Sequence, residues 1–215
     1  MFDMQRVDPG SVLVMQFAKW PEAGRVKTRL MPELGAEGAM NAHVRLSLAV
    51  LENLLASGFE VRFMWDRRLA TVPEAASPIL QLLEARTVGQ SWQQGDVLGE
   101  RMTRALESGL QTVGKALIVG SDCPSVDADY VRLAVATLDE VDVVLGPSDD
   151  GGYVLIGARA SAPDMLASVD WGTEKALEQT CDQLTQAGLT FALLPEKWDV
   201  DEPEDWRRFI GQSSG

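Results

Sequence analysis

Four cations, Lys19, Arg25, Lys27 and Arg29, fall within residues 17–30 of a chain whose 32 acidic residues outnumber its 19 basic ones. Such a local reversal of charge calls for an anionic ligand or for acidic neighbours. In an extended segment Arg25, Lys27 and Arg29 point to one side, because side chains alternate with period two, and Gly24 lets a ligand approach the backbone. Guanidinium and ammonium groups so arranged suit phosphate or pyrophosphate oxygens, arginine through bidentate contacts. A solvated loop whose cations pair with nearby acids is the competing reading. The segment has neither the P-loop spacing G-x-x-x-x-G-K-[ST] nor G-x-G-x-x-G.

Carboxylates recur where apolar runs end. Asp122 follows the run 116–119 and would face a cleft as a metal ligand or ribose contact, unless it caps a turn set by Pro124. Asp199 and Asp201 share a face if extended and could reach one hard cation together. Asp201, with Glu204 three residues on, equally matches a helix N-cap and its capping partner. Asp149 or Asp150, followed by Gly151 and Gly152, could take a proton from an acceptor hydroxyl, or could sit in a plain hairpin turn. Gln94, Gly95 and Arg101 lie where a helix opens, and its first amides attract an anion or a base edge. With two cysteines and one histidine there is no thiolate or imidazole set for zinc, so a metal would be Mg²⁺ or Mn²⁺ held on oxygen. His43 reads as structural or surface, and Cys123, with no histidine to activate it, as a small buried filler.

These residues need a scaffold that gathers strand ends. Residues 12–17 form a nearly unbroken apolar run, the pattern of a strand buried on both faces inside a parallel sheet. Val44, Leu48, Leu51 and Leu55 make one stripe of a helix that stops at Gly58, and a strand follows over 59–65. Strands are predicted over 116–119 and 141–145, with a helix over 126–138 between them and Asp127 as its cap. Residues 153–157 and 190–194 are strand-like, 173–187 helical, and a last helix starts near Pro203; residues 66–94 carry no clear pattern. This alternation predicts one α/β domain over residues 1–215: a Rossmann-like three-layer sandwich with a mostly parallel central sheet and ligands at the carboxyl ends of its strands.

A net charge of −13 repels nucleic acid and anionic membrane surfaces, so neither is an expected partner. The apolar run 11–18 is too short to span a bilayer or act as a signal peptide, which predicts no membrane span and a cytoplasmic setting.

The segments FAKWPEAGRVKTRL, QQGDVLGERM, GSDCPS, GPSDDGGYVLIG, DWGT and DVDEPEDW follow the order seen in a family of bacterial GT-A-like glycosyltransferases, and the chain resembles that family over nearly its whole length. The resemblance implies the GT-A fold of nucleotide-diphospho-sugar transferases, a nucleotide-activated small-molecule substrate, and a radical-SAM pathway partner of the arsenosugar type. Residues 27–30, and Asp199 and Asp201 with the acids after them, also resemble guanylyltransferases that act on phospholactate or phosphoenolpyruvate. Both resemblances imply a phosphate role for Arg25, Lys27 and Arg29 and metal binding by Asp122, Asp199 and Asp201. The D-x-D signature of many GT-A enzymes is absent, since Cys123 and Pro124 follow Asp122.

The expected activity is glycosyl transfer from a nucleotide-diphosphate sugar to a small acceptor. In it the basic loop holds the diphosphate, the three acids hold Mg²⁺ or Mn²⁺, and Asp149 or Asp150 is the base. The alternative is nucleotidyl transfer, in which a phosphorylated acceptor attacks the α-phosphate of a nucleoside triphosphate, Lys27 and Arg29 stabilise the transition state, and pyrophosphate leaves.

Overall fold

In the computed structural model, which describes residues 7–212, the apolar run at the start becomes β1 (Val12–Ala18), buried at every position but Phe17. It lies inside a seven-stranded sheet because it can bury both faces. β2 (Glu60–Trp65) pairs with it on one side and carries the edge strand β3 (Gly89–Trp92); β4 (Lys115–Gly120) pairs on the other, all parallel. The sheet continues through β5 (Val143–Pro147), β6 (Tyr153–Ala158) and β7 (Phe191–Leu193) in the order β3-β2-β1-β4-β6-β5-β7. β6 runs antiparallel to both β4 and β5, because a tight turn after β5 returns the chain directly, with no crossover helix. The remaining pairings are parallel, as predicted.

Alternation along β1 divides the core into two layers. Val12 and Val14 face α1 (Met31–Ala56), α2 (Ser77–Ala85) and α4 (Ala128–Thr137), while Leu13 and Met15 face α3 (Leu98–Leu110) and α5 (Ala176–Gln186). A third cluster joins Leu30, Ala42 and Leu46 to Trp198, Val200, and Trp206 and Phe209 of α6 (Pro203–Gln212), so the C-terminal segment is held against the start of α1.

Several boundaries differ from expectation for physical reasons. α1 begins well ahead of its apolar stripe, and Gly35, at φ 70°, breaks it near its start so that the first turn does not share that stripe. α5 begins at Ala176, three residues later than expected, after a turn in which Asp170 accepts through its carbonyl from the Thr173 hydroxyl. Asp127 caps α4 as predicted, accepting from the Tyr130 amide at 2.8 Å. The start of α6 is capped by a different residue: the Asp205 carboxylate, and not that of Glu204, accepts from the amides of Glu202 and Asp201 at 2.8 and 3.2 Å. The unreadable stretch 66–94 contains α2, only nine residues long, and the polar edge strand β3, which buries none of its four side chains fully and so shows no apolar alternation. Among the described residues no helix is long and apolar enough to cross a membrane.

Candidate functional site

The strand ends open onto two adjoining clefts. The smaller, of about 440 Å³, is lined by Lys19, Arg25, Lys27, His43, Arg101 and Asp122 among others. The larger, of about 1190 Å³, is lined by Ser148, Asp150, Tyr153, Trp171, Lys175 and Asp199 among others. Arg29 and Leu98 border both.

The basic loop is not extended. Its first anchor is Trp20, whose ring stacks on that of Trp65 with centroids 3.7 Å apart and planes 2° from parallel. The Trp20 amide donates to Asp66 Oδ1 at 3.0 Å and its indole N–H to the Arg67 carbonyl at 2.8 Å. Arg67 in turn bridges Asp66 and Glu22, so that β2 clamps the loop entrance. Beyond the clamp the chain turns, with Gly24 at φ 79° and Lys27 at φ 45°. A left-handed lysine costs on the order of 1 kcal/mol or more, and the surrounding contacts must hold it.

That turn sends the three cations in different directions. Lys27 points inward with only 6% of its side chain exposed; Nζ donates to Asp122 Oδ2 at 2.8 Å and to the Val200 carbonyl, and lies 3.8 Å from Asp201 Oδ1. Arg25 and Arg29 stay exposed, Arg25 near Glu22 and Arg29 paired with Asp201 and Glu202. Every cation of the trio therefore has an acidic partner, as the competing sequence reading had it, yet all three also line the smaller cleft.

The acids come from distant parts of the chain. Val200 is fully buried and its amide donates to the Asp122 carbonyl at 2.8 Å, which stitches the C-terminal segment onto the end of β4. Asp199 accepts from the buried Ser148 hydroxyl at 3.2 Å, while Asp201 faces Lys27 and Arg29. Burial pushes the Asp122 carboxyl up, but the Lys27 charge and hydrogen bond, with help from His43, outweigh it and hold it at about 2. Asp199 behaves oppositely: burial, then the charges of Asp122 and Asp150, push it up to about 7 despite Lys27. Burial pulls Lys27 down, and Asp122, Asp201 and Asp199 more than compensate, so its ammonium holds its proton more tightly than usual.

Among the described residues no three His, Cys, Asp or Glu side chains converge into a ready metal cage. The site offers instead one or two carboxylates at a cleft wall, the manner in which Mg²⁺ is held together with phosphate oxygens and waters. The all-oxygen donor set fits such an ion.

The other sequence candidates divide. Asp150 lines the larger cleft and accepts from the Gly152 amide at 3.0 Å within the β5–β6 hairpin turn; Asp149 is exposed and lines neither cleft. Arg101 lines the smaller cleft, and its Nε donates to the Gly95 carbonyl at 2.8 Å, so it pins the loop before α3. Gln94 faces a separate small pocket beside Met15 and Arg62, because the helix opens at Leu98 and not at Gln94. Cys123 is buried, and burial followed by the Asp122 and Asp199 charges pushes its thiol well above its ordinary range, which suits a filler. The Trp20–Asp66–Arg67 clamp and the Tyr153–Trp171 wall of the larger cleft were missed; their only sequence signal was tryptophan beside turn-forming Pro or Gly.

His43 is buried beneath the smaller cleft, with Nε2 2.9 Å from the Lys19 carbonyl. Burial outweighs this bond and lowers its pKa below 6.5. A folded pKa below the unfolded one means that the unfolded chain takes up the proton first. The contribution is therefore intact above pH about 6.5 and is lost as pH falls from there through the lower folded-state value. Urea midpoints should drop between pH 7 and pH 5 in the wild type by more than in His43→Gln.

The α/β sheet thus carries paired clefts at its strand ends, one edged by cations and the other by acids and aromatics. The chain belongs to the family described as an uncharacterized protein conserved in bacteria (DUF2064), whose signature matches residues 59–173. It is 28% identical over 193 residues to a phosphoenolpyruvate guanylyltransferase of Geodermatophilus obscurus, an alignment covering 88% of this chain and 84% of that one. Among solved structures it is similar to a Desulfovibrio desulfuricans G20 protein assigned as a nucleotide-diphospho-sugar transferase, with 28% identity, a TM-score of 0.79, and 89% and 82% of the two chains covered. A Methanothermobacter nucleotidyl transferase shares the fold, with a TM-score of 0.66 over 94% and 97% of the chains at 15% identity.

Proposed function

We propose that this chain is a nucleotidyltransferase. A phosphorylated acceptor in the larger cleft attacks the α-phosphate of a nucleoside triphosphate in the smaller one. A bond forms between an acceptor phosphate oxygen and the α-phosphorus, the bond to the β-phosphate oxygen breaks, and pyrophosphate leaves with that electron pair. The observation that carries this reading is the cation arrangement: Lys27 is fixed at the ends of β1 and β4, and Arg29 borders both clefts.

In this reading the exposed Arg29 turns from its carboxylate partners towards phosphate oxygens and, with the fixed Lys27 ammonium, stabilises the charge that gathers on the leaving pyrophosphate. Arg25 and Lys19 hold the outer phosphates. A phosphate nucleophile is already ionised at neutral pH and needs no base, which accords with Asp149 lying outside both clefts. Of Asp122, Asp199 and Asp201, one or two would hold Mg²⁺ or Mn²⁺ together with phosphate oxygens and waters, and such an ion when bound neutralises triphosphate charge. We read the fold as GT-A type over a single domain; a radical-SAM partner rests on the sequence resemblance alone.

Glycosyl transfer is the second reading. It draws on the Desulfovibrio relative and on Asp150, which borders the larger cleft close enough to Asp199 to raise its pKa, the place for a base acting on an acceptor hydroxyl. The product separates the two. Wild-type protein is incubated with Mg²⁺, each of the four nucleoside triphosphates and a panel of phosphorylated acceptors, starting with GTP because the curated relative is a guanylyltransferase. Pyrophosphate release dependent on both substrates is the expected result. Nucleoside diphosphate released from a nucleotide sugar, with no pyrophosphate from any triphosphate, would move the assignment to glycosyl transfer.

A further inference from the structure

Four carboxylates, Asp150, Asp170, Glu174 and Asp199, line the larger cleft against two cations, Arg29 and Lys175. Arg29 is already engaged by Asp201 and Glu202, whereas Lys175 has no ion pair among the described residues. A compact trianion such as phosphoenolpyruvate would meet net repulsion and fill little of about 1190 Å³. The same lining suits one phosphate near Lys175 with hydroxyls elsewhere, since carboxylates that keep a free oxygen accept hydrogen bonds from hydroxyl groups.

Part of the lining is aromatic and built into the fold. Trp171 meets Tyr153 edge to face at 5.9 Å, and Leu98 and Met102 continue the apolar surface. Two glycines seat this wall. A Cβ on Gly99 would come within 2.3 Å of the Leu166 carbonyl oxygen and 3.0 Å of Trp171 Nε1; one on Gly151, already at φ 85°, would meet the Glu174 carbonyl oxygen at 2.4 Å. Segment 166–174 is thus clamped between the start of α3 and the β5–β6 turn. The Tyr153 hydroxyl is buried beside Thr180, which leaves its ring as the part lining the cleft. A flat aromatic face beside hydrogen-bond acceptors recognises a ring that has an apolar face and hydroxyl edges.

We propose that the acceptor is a ring polyol bearing one phosphate, held on Trp171 with its phosphate at Lys175, and that this cleft selects against three-carbon phosphorylated acids. The proposal rests on the nucleotidyl-transfer reading for the role of the cleft, and binding can be tested apart from turnover. Saturation-transfer NMR is recorded on wild type, Trp171→Ala and Trp171→Phe with Mg²⁺ and a non-hydrolysable GTP analogue. The probes are hexose 1-phosphates, myo-inositol 1-phosphate and phosphoenolpyruvate, and thermal melting confirms that each variant is folded.

The expected result is saturation of ring protons of at least one cyclic phosphate in wild type and Trp171→Phe, with affinity weakened about tenfold, equivalent to about 1.4 kcal/mol, in folded Trp171→Ala. Phosphoenolpyruvate should show little. Should Trp171→Ala fail to fold, the contrast between ring phosphates and phosphoenolpyruvate on the wild type and Trp171→Phe decides. Equal or stronger binding of phosphoenolpyruvate, no binding of any ring phosphate, or unchanged affinity in folded Trp171→Ala overturns the proposal. Pyrophosphate assays on the same probes separate it from the reading beneath it. A ring phosphate that binds through Trp171 but yields pyrophosphate with no triphosphate removes nucleotidyl transfer and leaves the cleft assignment standing. Efficient turnover of phosphoenolpyruvate does the reverse.

Discussion

Lys27→Met is expected to lower pyrophosphate release by about 10²- to 10³-fold, the usual effect of removing one donor to developing transition-state charge. The side chain is buried and fixed by Asp122, Asp201 and the Val200 carbonyl, so no exposed cation can swing into its place without rebuilding the loop. Some stability should be lost as well, because the Asp122 carboxylate loses the ammonium that offsets its burial, although its 40% exposed side chain lets water take over part of that role. The Asp122 carboxyl should then titrate above its present value of about 2, a shift that carbon-detected NMR can follow. Lys27→Arg should not restore activity, since a planar guanidinium cannot take the place of a compact ammonium among three closely set oxygens. Full activity in Lys27→Met would remove Lys27 from the reaction and with it the observation on which nucleotidyl transfer rests.

Trp20→Ala should be the most destabilising change near the site. Trp20 is 6% exposed, lies in the core cluster with Phe63 and Trp65, and carries the two hydrogen bonds that tie the loop to Asp66 and Arg67, just past the end of β2. Truncating a buried tryptophan costs roughly 3–5 kcal/mol. In a chain of this size each kcal/mol shifts the melting temperature by about 2–4 °C, so a drop of roughly 10 °C is expected. At temperatures where the variant is still folded, triphosphate affinity should also fall, because Arg25 and Lys27 follow the clamp in the chain and depend on it for position. Calorimetry together with nucleotide titration checks both parts; a melting temperature within 2 °C or so of wild type would show the clamp to be dispensable.

What could be read without the structure shares a physical character. β1, β4 and β5 are legible because a strand buried on both faces must be apolar throughout, and such a run depends on no particular neighbour. The Asp127 cap is legible because donor and acceptor are three residues apart. Asp122 could be placed at a strand end by the same reasoning. β3 could not: an edge strand that leaves its polar side chains in solvent carries no alternation to detect.

The sequence by itself thus determined the α/β architecture, the central place of β1, the concentration of cations after it and the position of Asp122. Only the tertiary structure decided that Lys27 turns inward while Arg25 and Arg29 do not, since the left-handed turn at Lys27 is held by Asp122 and the Val200 carbonyl, which lie far along the chain. It also decided that Asp205 takes the capping position expected for Glu204, and that segment 166–174 closes a second cleft against α3 and the β5–β6 turn. Local periodicity records whether a residue is buried; which partner buries or charges it is settled only when distant segments meet.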